Sequence, residues 1–215
     1  MMEMTRASVL AAVVLSVSFT VEADVRRVFR EPRYDRGMLN QHICQPIDEA
    51  AWIWHKGISA EESASPAVFV RFRKEFESDG SPFEIDVSAD ERFVLFLDGK
   101  FVARGPNRGW TENWQYQTYE LKLAPGRHLL EAVVFRLGAA APITQMSHRG
   151  GFALKASGDC DAKLTTGRAN WQVGVLSGTT MGTVFVGHGA MGARATSRGT
   201  GFEDERPDAW TDAVV

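Results

Sequence analysis

The stretch that decides the fold is Phe83-Glu84-Ile85-Asp86-Val87-Ser88, followed by Phe93-Val94-Leu95-Phe96-Leu97, Asp98-Gly99 and Lys100-Phe101-Val102-Ala103. Phe83, Ile85 and Val87 alternate with Glu84, Asp86 and Ser88, a period of two that turns one row of side chains to a core and the other to water. Phe93 to Leu97 is a continuous apolar run. The Asp-Gly after it is a two-residue hairpin signal, because both central positions of a primed turn take positive φ. The segment therefore predicts a half-buried strand and then a hairpin.

The same logic extends outward in both directions. Val68 to Phe76 lies between Pro66 and the turn Asp79-Gly80-Ser81-Pro82, and Arg127 to Leu137 lies between Pro125-Gly126 and Gly138. Shorter strand candidates are Trp52 to Trp54, Gln115 to Leu123, Gly151 to Ala156, Trp171 to Leu176 and Thr183 to Val186. No stretch beyond the first two dozen residues sustains an apolar i, i+3, i+4, i+7 stripe over three turns, so little helix is expected. About eight or nine strands without intervening helices predict an all-β chain, an antiparallel β-sandwich of jelly-roll, galactose-binding-like type. From Ser177 to Gly201, seven glycines (Gly178, Gly182, Gly187, Gly189, Gly192, Gly199 and Gly201) fall among few large apolar residues. This stretch reads as a Gly-rich connector ordered only at Thr183 to Val186.

The 215 residues are 44% hydrophobic and 24% charged, with 24 Lys and Arg against 27 Asp and Glu. That balance excludes disorder and collagen and carries no bulk charge to attract nucleic acid. At the N-terminus, Arg6 precedes the apolar run Ala7 to Val17, and small residues lead to Val21-Glu22-Ala23. A run this short cannot span a bilayer core, which needs about 20 apolar residues. Residues 1–23 read as a signal peptide cleaved after Ala23, which predicts a secreted or periplasmic protein with no membrane attachment after cleavage. The expected organisation is then an N-terminal extension over 24–48, a β-sandwich over 49–176, and over 177–215 a Gly-rich linker with the truncated start of a following β-domain. Cys44 and Cys160 could form one long-range bridge in an oxidising compartment or remain two buried thiols.

Candidate chemistry is sparse. Gly187-His188-Gly189-Ala190-Met191-Gly192 matches G-x-G-x-x-G, but a dinucleotide site needs a helix to open there, and Gly199, Gly201 and Pro207 interrupt any helix. His128 and His148 are isolated, and acids near the first hairpin read as turn residues, so no catalytic constellation emerges. Asp90 and Asp98, with loop carbonyls, are candidate ligands for Ca²⁺, which takes six to eight oxygens. The most informative loop is Ala103-Arg104-Gly105-Pro106-Asn107-Arg108-Gly109-Trp110, followed by Trp114, Tyr116 and Tyr119. Flat aromatic faces stack on the C–H faces of sugar rings, and Arg and Asn form paired hydrogen bonds with vicinal hydroxyls. Arg104, Asn107, Arg108, Trp110, Trp114 and Tyr116 are therefore the candidate carbohydrate-binding residues. The alternative is that the aromatics pack within the sandwich or against a neighbouring domain.

Several pieces occur in a telling order: Ala51-Trp52-Ile53-Trp54, Phe72-Arg73-Lys74-Glu75-Phe76, Val87-Ser88-Ala89-Asp90-Glu91-Arg92-Phe93, Leu97-Asp98-Gly99-Lys100, Arg104-Gly105-Pro106-Asn107-Arg108-Gly109, Tyr116-Gln117-Thr118-Tyr119 and Leu123-Ala124-Pro125-Gly126-Arg127-His128. Over residues 50–176 this order resembles the N-terminal β-sandwich of bacterial α-L-rhamnosidases and related glycoside hydrolases. Gly201-Phe202-Glu203-Asp204 with Trp210 and Ala213 resembles the opening of the β-domain that follows it. The resemblance implies polysaccharide breakdown, with inverting carboxylates on a downstream (α/α)₆ barrel for which this chain has no room, so no catalytic residue carries over. The expected function is a non-catalytic accessory module. Its expected partners are a rhamnose-containing oligo- or polysaccharide and a catalytic domain or subunit supplied elsewhere. The alternative is a structural or protein-interaction sandwich that binds no sugar.

Overall fold

A computed structural model of the chain describes residues 23–28, 47, 49–60, 66–107, 115–141, 147, 149–186, 190–196 and 201–215. Its strands are β1 (Asp24–Val28), β2 (Trp54–His55), β3 (Val68–Ser78), β4 (Phe83–Asp90), β5 (Arg92–Leu97), β6 (Lys100–Gly105), β7 (Gln117–Lys122), β8 (Gly126–Arg136), β9 (Gly151–Ala156), β10 (Gln172–Val175), β11 (Thr180–Val186), β12 (Ala190–Thr196) and β13 (Thr211–Val214). A single helical turn, α1 (Asp161–Leu164), precedes β10. The strands form a four-stranded sheet in the order β1-β7-β4-β9 and a seven-stranded sheet in the order β2-β13-β10-β3-β8-β5-β6. β11 and β12 form a separate hairpin. The pairing is antiparallel throughout these strands, as a β-sandwich requires.

The deciding segment folds as its pattern predicts. Phe83, Ile85, Val87 and Ala89 of β4 point into the core, and β5 turns into β6 through Asp98 at φ 50° and Gly99 at φ 74°. Both turn residues occupy the left-handed region that a primed hairpin needs. β3 and β8 are paired along their whole lengths, from Val68 opposite Arg136 to Ser78 opposite Gly126. Between the sheets, Val70 and Phe72 from β3 and Leu130, Ala132 and Val134 from β8 meet Ile85, Leu121, Phe152 and Leu154 from the smaller sheet. An aromatic column crosses this core: Trp54 lies 6.3 Å from Phe72, Phe72 stacks 5.0 Å from Phe152, and Phe152 meets Trp171 edge-on at 5.5 Å. Trp171 is buried, and its indole Nε1–H donates to the Leu164 carbonyl at 2.8 Å, so burial costs it no hydrogen bond.

The seven-stranded sheet is also apolar on its outer face. Phe69, Val94, Phe96, Val133 and Leu176 form a second buried cluster there, and Phe202 covers it, 5.4 Å from Phe69 and 5.9 Å from Phe135. Arg71 points to the same face and is fully buried. Its guanidinium donates to the Glu203 carbonyl, lies 3.4 Å from Glu131 Oε1 and sits 5.2 Å above the Phe96 ring. Residues 201–210 thus form a strap across the sheet, and β13 then inserts between β2 and β10. Gly174 permits this crossing: a Cβ there would lie 2.4 Å from the Ala209 carbonyl oxygen and 2.4 Å from Pro207 Cβ.

Three features bear on the expected organisation. Within residues 201–214, Phe202 packs on the outer cluster and β13 pairs with β10. The glycine-rich stretch holds two paired strands, because β12 answers β11 from Thr180 opposite Thr196 to Val186 opposite Ala190. Residues 24–28 of the expected extension pair with β7 as an edge strand of the smaller sheet. In the G-x-G-x-x-G stretch, Gly187 to Gly189 lie outside the described residues, while Ala190 to Gly192 belong to a strand.

If the strap rests on Gly174, then Gly174→Ala must displace Pro207 or the Ala209 carbonyl. The expected cost is that of overpacking, about 1–3 kcal/mol, seen as a lowered melting temperature. An unchanged melting temperature would show that the strap does not depend on that contact.

Candidate functional site at the loop end of the sandwich

The register brings three connections to one end of the sandwich. Asp90 is opposite Gly151, Arg92 opposite Phe135, Phe93 opposite Gly105 and Val87 opposite Gln117. The short turn at Glu91 therefore meets the β6–β7 connection (106–116) and the β8–β9 connection (137–150). The turn ties them together. Asp90 accepts the Ser147 hydroxyl at 2.8 Å on Oδ1 and the Arg149 backbone N–H at 2.7 Å on Oδ2. Glu91 Oε1 accepts the Leu137 backbone N–H at 3.0 Å, and Arg92 donates to the Pro106 carbonyl. Ser88 donates its hydroxyl to the Gln115 carbonyl at 2.7 Å. The peptides Asp90–Glu91 and Gly105–Pro106 are both cis.

Electrostatically, this turn is unusual. Asp90 and Glu91 are each 2% exposed, and Glu91 Oε2 is buried without a hydrogen-bond partner. Burial, with the neighbouring Asp90 charge adding to it, pushes the Glu91 carboxyl up to about 7, against the pull of the Leu137 N–H, Arg136 and Arg92. Both acids serve as acceptors that hold loops in place. In the sequence alone they read as turn residues at strand ends. The available signal was the absence of any Gly, Pro or Asn between the strand patterns of β4 and β5, which is unusual for a solvent-facing turn.

Three of the six candidate carbohydrate-binding residues, Arg104, Asn107 and Tyr116, are among the described residues. Asn107 is exposed just past the cis proline, and Tyr116 is half-buried at the far end of the same connection. Arg108, Trp110 and Trp114 lie outside the described residues. Arg104 is engaged elsewhere: it pairs with Glu203 of the strap and lies over the Phe101 ring at 5.2 Å.

The candidate calcium ligands do not converge. Asp90 precedes β5 and Asp98 follows it, so the six-residue strand separates them by about 20 Å. Asp98 instead faces His128, with Oδ2 2.7 Å from Nδ1, and accepts the Leu129 backbone N–H at 2.8 Å. Among the described residues no group of three His, Cys, Asp or Glu side chains is placed to hold a metal. The Cys160 thiol is buried, which raises its pKa, and Cys44 lies outside the described residues.

The position of Glu91 yields a pH signature. A carboxyl raised to about 7 from 4.5 stabilises the fold while protonated; that contribution is complete below 4.5 and is lost as pH rises through about 7. Glu91→Gln keeps an acceptor for the Leu137 N–H but cannot ionise. Its melting temperature should match the parent near about pH 4 and exceed it increasingly up to about pH 8. A difference that is flat with pH would mean that Glu91 is not held neutral.

No protein-family model matches the sequence, and no curated protein matches it. Among solved structures, the chain is similar to a GH78-family rhamnosidase from Bacillus sp. GL1, with 24% identity and a TM-score of 0.57 over 76% of this chain. It spans 18% of that rhamnosidase chain. A lectin from Pleurotus ostreatus, solved in its apo form and in complex with GalNAc, aligns with 79% of this chain and 42% of its own at 15% identity and a TM-score of 0.38. The likeness to the rhamnosidase is one of fold, and it agrees with the β-sandwich described above.

Proposed function

We propose that this protein is a non-catalytic carbohydrate-binding module, accessory to an α-L-rhamnosidase-like glycoside hydrolase, and that it acts outside the cytoplasm. The observation that carries the reading is the tethering of the β6–β7 connection at both ends: Arg92 holds Pro106 and Ser88 holds Gln115. Such anchoring limits the conformational entropy lost when the connection closes on a ligand. Between these anchors the sequence places Asn107, Arg108, Trp110 and Trp114, a mixture of flat aromatic and hydrogen-bonding groups that suits a sugar ring. The fold likeness to part of a rhamnosidase supports a role beside such an enzyme. On this reading catalysis belongs to a separate domain, and Asp90 and Glu91 act here as acceptors for loop N–H and hydroxyl groups.

Titration calorimetry of the purified protein with L-rhamnose and with rhamnogalacturonan oligosaccharides tests this reading. The parent should give saturable heat, and Trp110→Ala and Trp114→Ala should each weaken binding about tenfold or more, corresponding to about 1.4 kcal/mol. Absence of heat from the parent with every probe would favour the alternative, a sandwich that packs against a neighbouring domain and binds no sugar.

A further inference from the structure

The strap covers only part of the outer face of the seven-stranded sheet. Beyond it a groove with a volume of about 540 Å³ opens over β3, β8, β10 and β13. It is lined by Arg73, Glu75, Arg127, Asn170, Gln172 and Asp212. The register explains this clustering: Gln172 is opposite both Arg73 and Asp212, and Glu77 is opposite Arg127, so outward-facing polar residues of four strands fall in adjacent rows. We propose that this groove is a binding surface for a neutral oligosaccharide chain, a site separate from the loop end; the proposal rests on the carbohydrate-binding reading above.

Three features select that ligand class. First, the charges nearly balance: Arg73 and Arg127 share the outer face with Glu75, Glu77 and Asp212, so the groove offers no positive field to a phosphate or an acidic chain. Second, apart from Phe76 the lining is polar, and its amides, carboxylates and guanidinium groups supply the mixed donors and acceptors that hydroxyls need. The volume lies within the usual range of ligand sites, about 300–1,000 Å³. Third, Arg73 is held in place before any ligand arrives. Its Nε–H donates to Gln172 Oε1 at 2.9 Å, and its guanidinium lies 3.9 Å from the centre of the Trp210 ring. A guanidinium fixed by a ring and an amide loses little further freedom on binding. The Gln172 amide N–H₂ is left to donate elsewhere, and Asn170 beside it is exposed.

Nitrogen-15 NMR of the whole chain, titrated with xylotetraose, cellotetraose and galactotetraose, separates the outcomes. The proposal expects saturable shifts at residues 73–75, 127, 170–172 and 212 with at least one tetrasaccharide, including the side-chain amides of Asn170 and Gln172. It also expects Asn170→Ala with Gln172→Ala to weaken that binding about tenfold while leaving the melting temperature in place. Shifts confined to residues 104–119 would overturn the groove and leave the carbohydrate-binding reading standing. Absence of shifts with all three tetrasaccharides would overturn the groove on its own, and rhamnose-induced shifts at the loop end would then still support the reading it rests on.

Discussion

A sheet that is apolar on both faces cannot be left half-covered, and this constraint organises the molecule. Burying a large aliphatic or aromatic side chain is worth about 1.5–3 kcal/mol, so exposing Phe69, Val94, Phe96, Val133 and Leu176 together would cost more than a small domain can tolerate. The smaller sheet covers one face. The strap at residues 201–210 covers much of the other, with Phe202 seated on the cluster. Because the strap must lie flat on β10, the strand has no side chain at Gly174, where the strap crosses.

The same constraint accounts for the buried charge. Arg71 sits under the strap on the outer face, and burial lowers its pKa against the opposing pull of Glu131. A buried guanidinium needs compensating partners, and here the strap supplies one directly, the Glu203 carbonyl. The loop end solves the reverse problem with carboxylates. Asp90 satisfies a hydroxyl and a backbone N–H from the β8–β9 connection, and Glu91 meets its burial by holding its proton near neutrality. In both places a charged side chain fastens a segment without regular structure to the sandwich, and its contribution is to position that segment.

Much of this fold is written plainly in residue order. β3, β4, β5, β6, β8 and β9 announce themselves by alternation or apolar runs bounded by Gly and Pro, and their observed spans depart little from expectation. β12 does not. Ala190-Met191-Gly192-Ala193-Arg194-Ala195-Thr196 carries no alternating pattern, and only its pairing with β11 makes it a strand. β1 and β13 are short and mixed in polarity, as edge and inserted strands can be, because neighbours supply their hydrogen bonds. The two-sided burial was also legible: an unbroken run such as Phe93 to Leu97 is what a strand covered on both faces looks like. The candidate site was harder to read. Arg104 lies at the end of β6, just before the connection that holds Asn107 and Tyr116, yet the fold draws it to Glu203, ninety-nine residues away, which no local pattern encodes. The groove is invisible in sequence for the same reason, since its rows come from four strands.

The place of β13 has a consequence for how such a chain is made. It sits between β2 and β10, yet it is translated after both. On the ribosome β2 therefore waits, without its partner, while well over a hundred residues emerge, and the outer apolar cluster waits with it. Contacts this distant along the chain form slowly, and unpaired strand edges invite wrong partners in the meantime. Closing this sandwich is thus a late, long-range event, set by the arrival of β13 rather than by any local hairpin.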